Sequence, residues 1–235
     1  MTSLAELFEN EGLSTSSFLR EFQPQDISQT DGDALKSILK RQWESWREEP
    51  GELESKALKA WRAKRGYAFE RLTFKLLALE GLAPWPPYYS HIKYEDAEEV
   101  SVGEEASPSR RGRRPGGEQI DGGFELDGRY FLLETKWQDR PMAASDMYAF
   151  RGRVDGKLTG TIGVIASATG FAEDAQYALL WGKEINVLLV DGEDMGLALD
   201  PGNSFRRMMR AKVREAARIG RVFYSYAEFL DKRGA

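Results

Sequence analysis

Apolar residues in the first third of the chain recur at intervals of three and four. Leu35, Ile38, Leu39, Trp43 and Trp46 do so within DGDALKSILKRQWESWREEP, and Phe69, Leu72, Leu76 and Leu79 or Leu77 within KALKAWRAKRGYAFERLTFKLLALEG. This spacing predicts two amphipathic helices, the first broken by Pro50-Gly51, the second running from Glu54 to a stop at Gly81. Two shorter helices are expected before them: LAELFENEG, ending at Gly12, and STSSFLREF, which offers serine and threonine N-caps. A polar joint, Gln23 to Asp31, follows. Residues 1–58 read as an N-terminal helical extension and 59–235 as the main domain. Trp43, Trp46 and Trp61 have two readings, packing against the main domain or an exposed face for a partner or DNA.

Beyond Gly81 the period changes. APWPPYYSHIKYE is a proline-rich turn leading into a strand, Tyr88 to Tyr94, and DAEEVSVGEEASPSRRGRRPGGE is polar and turn-rich. EQIDGGFELDGRYFLLETKWQ reads as two strands around an Asp127-Gly128 turn. Then come a helix over 144–157, the strand GTIGVIASATG, the helix FAEDAQYALLWGKE and the strand INVLLVDG. A basic helix, NSFRRMMRAKVREAARIG, and a final short strand or turn with a helix, RVFYSYAEFLDKRGA, close the chain. Strands alternating with helices predict an α/β fold, a mixed central sheet flanked by helices.

Composition narrows the chemistry. The chain has no cysteine and one histidine, His91, so disulfides, thiolate or multi-histidine metal sites and cysteine nucleophiles are excluded. His91 itself reads as structural or surface. Catalysis must rest on carboxylates, lysine, hydroxyls or an oxygen-ligated metal. A net charge of −5 argues against a general nucleic-acid-coating protein, while leaving room for a local basic patch. MTSLAELFENEGLS lacks signal-peptide character and no apolar run approaches the roughly 20 residues that span a bilayer, so a cytoplasmic protein without membrane contact is expected.

One stretch does not fit a simple core. The apolar run Tyr130-Phe131-Leu132-Leu133 ends in Glu134-Thr135-Lys136, and strand alternation puts Glu134, Lys136 and Gln138 on one face. The Asp127-Gly128 turn sets Asp121 opposite Glu134. Adjacent carboxylates repel unless positive charge lies between them. Either the hairpin carries fortuitous surface charges or a cross-strand Asp–Lys pair, or it is a hard-metal site. In the second case Asp121, Glu134 and the Thr135 backbone carbonyl would hold Mg²⁺ or Mn²⁺, with Lys136 beside it.

Asp121, twelve intervening residues and Glu134-Thr135-Lys136 resemble the PD-(D/E)XK nuclease motif. GYAFERL, Gly66 to Leu72, resembles the helix that precedes the core in that superfamily and carries its acidic residue, here Glu70. LLETKWQDRPMAASDMYAFRGRVDGKLTGTIGVIASATGFAEDA is similar to the restriction-endonuclease-like branch that includes Mrr-type enzymes; the likeness covers about residues 62–192, with Ile120 where the motif's proline would stand. The resemblance implies a restriction-endonuclease-like αβββαβ core and metal-dependent hydrolysis of DNA. Asp121 and Glu134 would then be metal ligands, Lys136 the catalytic lysine, Glu70 an accessory acid on the metal, and Gln138 a residue orienting water or phosphate.

Other candidates concern DNA. Arg113 and Arg114 end a basic run (with Arg110 and Arg111) that leads into Asp121. Ser167 either reaches the site or caps the next turn, and Lys157 either meets backbone phosphate or faces solvent. In the basic helix, Arg207, Arg210, Arg214 and Arg218 recur at helical spacing, fit to track a phosphate backbone or simply to be solvated. The leading expectation is a DNA endonuclease of restriction or host-defence type, working as a homodimer or higher oligomer and open to a regulatory partner through the N-terminal helices. A catalytically silent DNA-binding scaffold and a structure-specific resolvase or repair nuclease are the alternatives.

Overall fold

The structure, a computed structural model, describes residues 2–22, 27–51, 53–91, 117–179 and 184–234. Serine hydroxyls at positions 3, 14 and 28 each accept the backbone amide three residues on and so start α1 (Leu4–Glu9), α2 (Thr15–Glu21) and α3 (Gln29–Arg47). The next helix, α4 (Ser55–Leu79), stops just before Gly81, whose positive φ of 65° lets the chain turn away. Phe8, Phe18 and Phe22 pack on one another, and the buried Lys75 ammonium of α4 donates to the Phe8 and Asn10 carbonyls, tying the end of α1 down. Trp43 is buried against Phe69 and Trp137. Trp46 lies near the Trp61 ring and donates to Glu11.

Two sheets follow. β1 (Tyr88–His91) pairs antiparallel with β2 (Gly117–Ile120). The main sheet runs in the order β3 (Gly123–Leu126), β4 (Arg129–Lys136), β5 (Ile162–Ser167) and β6 (Val187–Asp191), antiparallel at its first pair and parallel thereafter. The parallel crossovers carry α5 (Ala144–Asp155) and α6 (Glu173–Ala178). After β6 come α7 (Gly192–Ala198), α8 (Phe205–Ile219) and α9 (Tyr226–Gly234). Alternation along the strands sorts the core. Leu133, Val164, Leu188 and Val190 join residues of α3, α4, α7 and α8, whereas Leu132, Ile165 and Leu189 join residues of α5 and α6. The result is an α/β fold, a mixed four-stranded sheet with helices on both faces. No helix among the described residues is long and apolar enough to cross a membrane.

Two local features differ from expectation. The strand expected to run unbroken into the Asp127-Gly128 turn is divided into β2 and β3 at Asp121-Gly122, where Gly122 takes φ +132°. Trp85 bridges to Gly123 through both backbone hydrogen bonds, and a Cβ on Gly123 would overlap the Trp85 indole and the Phe131 carbonyl oxygen. Gly123→Ala is therefore expected to cost about 1–3 kcal/mol, read as a lower thermal midpoint. The periodicity also gave no sign of α7, which Asp191 starts through a reciprocal capping box with Asp194. Of the strand expected over 88–94, residues 88–91 form β1, and 92–94 lie outside the described residues.

Candidate active site

The site arises because β4 outruns its neighbour. β3 pairs with β4 only from Leu126 back to Gly123, opposite Leu132. Beyond that point the Leu133 amide donates to the Gly122 carbonyl. The Thr135 amide is then met by a side chain, Asp121 Oδ2, at 2.9 Å, with the Thr135 hydroxyl on the same oxygen at 3.3 Å. A strand residue's N–H and C=O point to the same edge, so the Thr135 carbonyl faces this edge too. Burial, reinforced by the nearby Glu134 carboxylate, holds the Asp121 carboxyl above its ordinary range against the pull of Lys136 and Thr135.

Glu134 and Lys136 project to the α5 face. Lys136 Nζ lies 2.6 Å from Glu134 Oε1 and 4.0 Å from Asp121 Oδ2. Glu134 Oε2 accepts from Arg153 Nη1 of α5 at 2.7 Å, and the same nitrogen donates to the Gln119 carbonyl at 2.9 Å. Gln119, Asp121, Glu134, Lys136, Ala149 and Arg153 line one open cavity of about 390 Å³. It sits at the carboxyl end of a strand in the parallel part of the sheet, the usual place for a ligand site in open α/β folds. Arg153 was not anticipated. Its only signal is a place on a crossover helix that must cover the Glu134 face, four residues after Ala149.

Glu70 of α4 joins this group electrostatically. Burial first, and then the Asp121 charge, push its carboxyl up to about 7. The native state therefore holds a proton on Glu70 at pH values where the unfolded chain has lost it, between the ordinary value of 4.5 and about 7. Stability from this group is full below 4.5 and falls as pH rises through 7. Without added metal, Glu70→Gln is expected to be more stable than wild type at pH 8, by on the order of 1–3 kcal/mol. The difference should vanish near pH 4.5, and urea unfolding across pH measures it.

The remaining candidates are dispersed. The Gln138 side-chain oxygen is buried without a hydrogen-bond partner among the described residues. Ser167 is aligned with Lys136 across β4 and β5, yet its hydroxyl donates to the Gly170 carbonyl and closes its own turn. Lys157 is half-buried just past α5. On α8, Arg207 donates to Tyr226 and Asn203, Arg210 makes a two-pronged pair with Asp127, and Arg214 is exposed. Asp127 lies at the opposite end of β4 from Lys136, roughly 23 Å along the strand, so Arg210 and the carboxylates are not brought together. Arg110, Arg111, Arg113 and Arg114 lie outside the described residues.

No family model matches the chain, and neither does a curated protein or a solved structure. What the site can hold rests on its own donors. They are all oxygens: the Asp121 and Glu134 carboxylates and the Thr135 carbonyl, with Glu70 alongside. Oxygen donors suit a hard divalent cation. Burial first, and then a neighbouring carboxylate, raises both the Asp121 and the Glu70 carboxyl, and a bound cation would offset both effects. Among the described residues no three acidic or histidine side chains stand together as a ready-made cage. Both Glu134 oxygens are instead held by Lys136 and Arg153, so a metal would have to displace at least one of them.

Proposed function

We propose that this chain is a divalent-metal-dependent endonuclease that hydrolyses DNA phosphodiester bonds, built on a restriction-endonuclease-like core of the Mrr type. The observation that carries the reading is spatial. Asp121, Glu134 and Lys136, spaced along the sequence as in PD-(D/E)XK nucleases, line one open cavity, with the half-buried Glu70 carboxyl within reach of their charges. Asp121, Glu134, the Thr135 carbonyl and Glu70 would hold Mg²⁺ or Mn²⁺, which when bound would polarise the scissile phosphate and ease deprotonation of the attacking water.

The chain's own groups do the rest. Asp121 is oriented by two hydrogen bonds from Thr135, so one carboxylate is fixed before any ligand arrives. The Lys136 ammonium, only partly exposed, places positive charge where charge builds on a phosphate lying in the cavity. Gln138 offers a buried, unsatisfied carbonyl oxygen that can orient water. Cutting both strands of a duplex calls for two such sites, so a homodimer or larger assembly belongs to this reading, as does a restriction or host-defence role. The N-terminal helices are its candidate surface for a regulatory partner.

The test is supercoiled plasmid with Mg²⁺ or Mn²⁺. Nicking or linearisation by wild type, lost in Asp121→Ala and Lys136→Ala with DNA binding retained, supports the nuclease. Binding without nicking under any divalent metal would favour the silent scaffold, which saturation of Glu134 by two cationic side chains would suit.

A further inference from the structure

Glu134 carries an unusual load for a single carboxylate. Its side chain is 4% exposed, with one oxygen against Lys136 at 2.6 Å and the other against Arg153 at 2.7 Å. The two cations are not equivalent. Lys136 stands two residues along the same strand, so its reach is fixed by β4. Arg153 extends from α5 on the opposite wall of the cavity and keeps a second anchor, the Gln119 carbonyl, on the nitrogen that holds Glu134. Both of its hydrogen bonds, to Gln119 and to Glu134, come from Nη1, and its side chain is 18% exposed. Ala149, one turn earlier, contributes only a methyl group to the wall and leaves the space before the guanidinium open.

We propose that Arg153 is a phosphate-binding residue held in reserve on Glu134, and that a divalent cation, by taking its place there, frees it for a DNA phosphodiester. This rests on the nuclease reading and adds an order of binding to it. Charge balance argues for the exchange. The charged side chains lining the cavity balance, Asp121 and Glu134 against Lys136 and Arg153, so with both cations held on carboxylates it has no net pull on a phosphate. A dication makes that lining net positive, which draws in the anionic phosphodiester. A released guanidinium then offers two parallel N–H groups, a geometry suited to two phosphate oxygens that an ammonium does not match. A cavity of about 390 Å³ is of the size that holds a nucleotide-sized ligand.

The test uses the full chain, with Arg153→Gln and Arg153→Lys beside wild type and Asp121→Ala. Mn²⁺ binding is measured by calorimetry without DNA, and binding of a short duplex by fluorescence anisotropy in Ca²⁺ and in EDTA. Arg153→Gln is expected to bind Mn²⁺ about 3- to 10-fold more tightly, because the competing cation is gone. In Ca²⁺ it should bind the duplex about 10-fold more weakly, with a salt slope smaller by about 1. In EDTA its duplex affinity should match wild type. Arg153→Lys, which keeps the charge, should bind Mn²⁺ like wild type and recover part of the duplex affinity, and it also serves if Arg153→Gln fails a thermal-melt check of folding. Weaker or unchanged Mn²⁺ binding in Arg153→Gln would make Arg153 a prop for Glu134 and overturn the exchange. So would duplex affinity in Ca²⁺ equal to wild type, or an equal loss in EDTA. Absence of Mn²⁺ binding in wild type, or Mn²⁺ binding indifferent to Asp121→Ala, would overturn the metal-site reading itself and the exchange with it.

Discussion

Lys136→Ala is expected to slow metal-dependent DNA cleavage by about 10²–10³-fold, the usual cost of removing one group that stabilises charge in the transition state. The loss should fall on kcat, because a charge that acts mainly on the developing transition state contributes little to ground-state binding. Folding should be nearly untouched. The lysine side chain is 34% exposed, and Arg153 remains on Glu134 when it is gone, so that buried carboxylate keeps a counter-ion. Single-turnover cleavage together with a thermal melt separates the two effects. Equal losses in rate and in thermal midpoint would assign Lys136 to the scaffold instead.

The largest stability effect is expected on the other side of the sheet. Lys212 is 1% exposed, and its ammonium donates to Asp194 at 2.6 Å and to the Tyr224 carbonyl at 2.7 Å. Burial pulls the Lys212 pKa down, and Asp194 pulls it back. Asp194 also accepts the Tyr226 amide and closes the capping box of α7, so one buried pair joins α7, α8 and the start of α9 behind β6. Lys212→Ala strands Asp194 without a counter-ion and is expected to cost about 3–5 kcal/mol. For a chain of this size that lowers the thermal midpoint by roughly 10 °C. Lys212→Met with Asp194→Leu should recover only part of the loss, since the Tyr226 amide would still lack its acceptor. Calorimetric melts of the single and double variants measure both.

Lys212 also shows where reading the sequence stops. The basic character of α8 is plain in the sequence, but charge alone does not tell a solvent-facing arginine from one already engaged. In the fold Lys212 is buried, Arg207 and Arg210 have partners within the chain, and Arg214 stays exposed. Tyr226, Asp127 and Asp194, which engage Arg207, Arg210 and Lys212, lie 19, 83 and 18 positions away, beyond any local window. The β3–β4 hairpin was legible for the opposite reason. Its register follows from a local turn, with Asp127 and Gly128 both at positive φ, and the observed Gly123–Leu132 pairing is the one that turn predicts. It brings Asp121 to Thr135 as a side chain ending the ladder, a finer arrangement than two strands facing squarely, because Gly122 breaks the first strand. Nothing in the sequence singles out Arg153, because its contacts depend on how α5 crosses the sheet and an arginine late in a helix looks like any solvated one.

In the proposed nuclease, Asp121 and Glu134 act as one unit on a shared cation. Single-turnover cleavage of supercoiled plasmid in saturating Mn²⁺ tests it, with wild type, Asp121→Asn, Glu134→Gln and the double variant. Wild type should cut, each single variant should be slower by at least about 10²-fold, and the double variant should be no slower than the worse single one. Cleavage by either single variant at the wild-type rate, or no cleavage by wild type in any divalent metal, would contradict it.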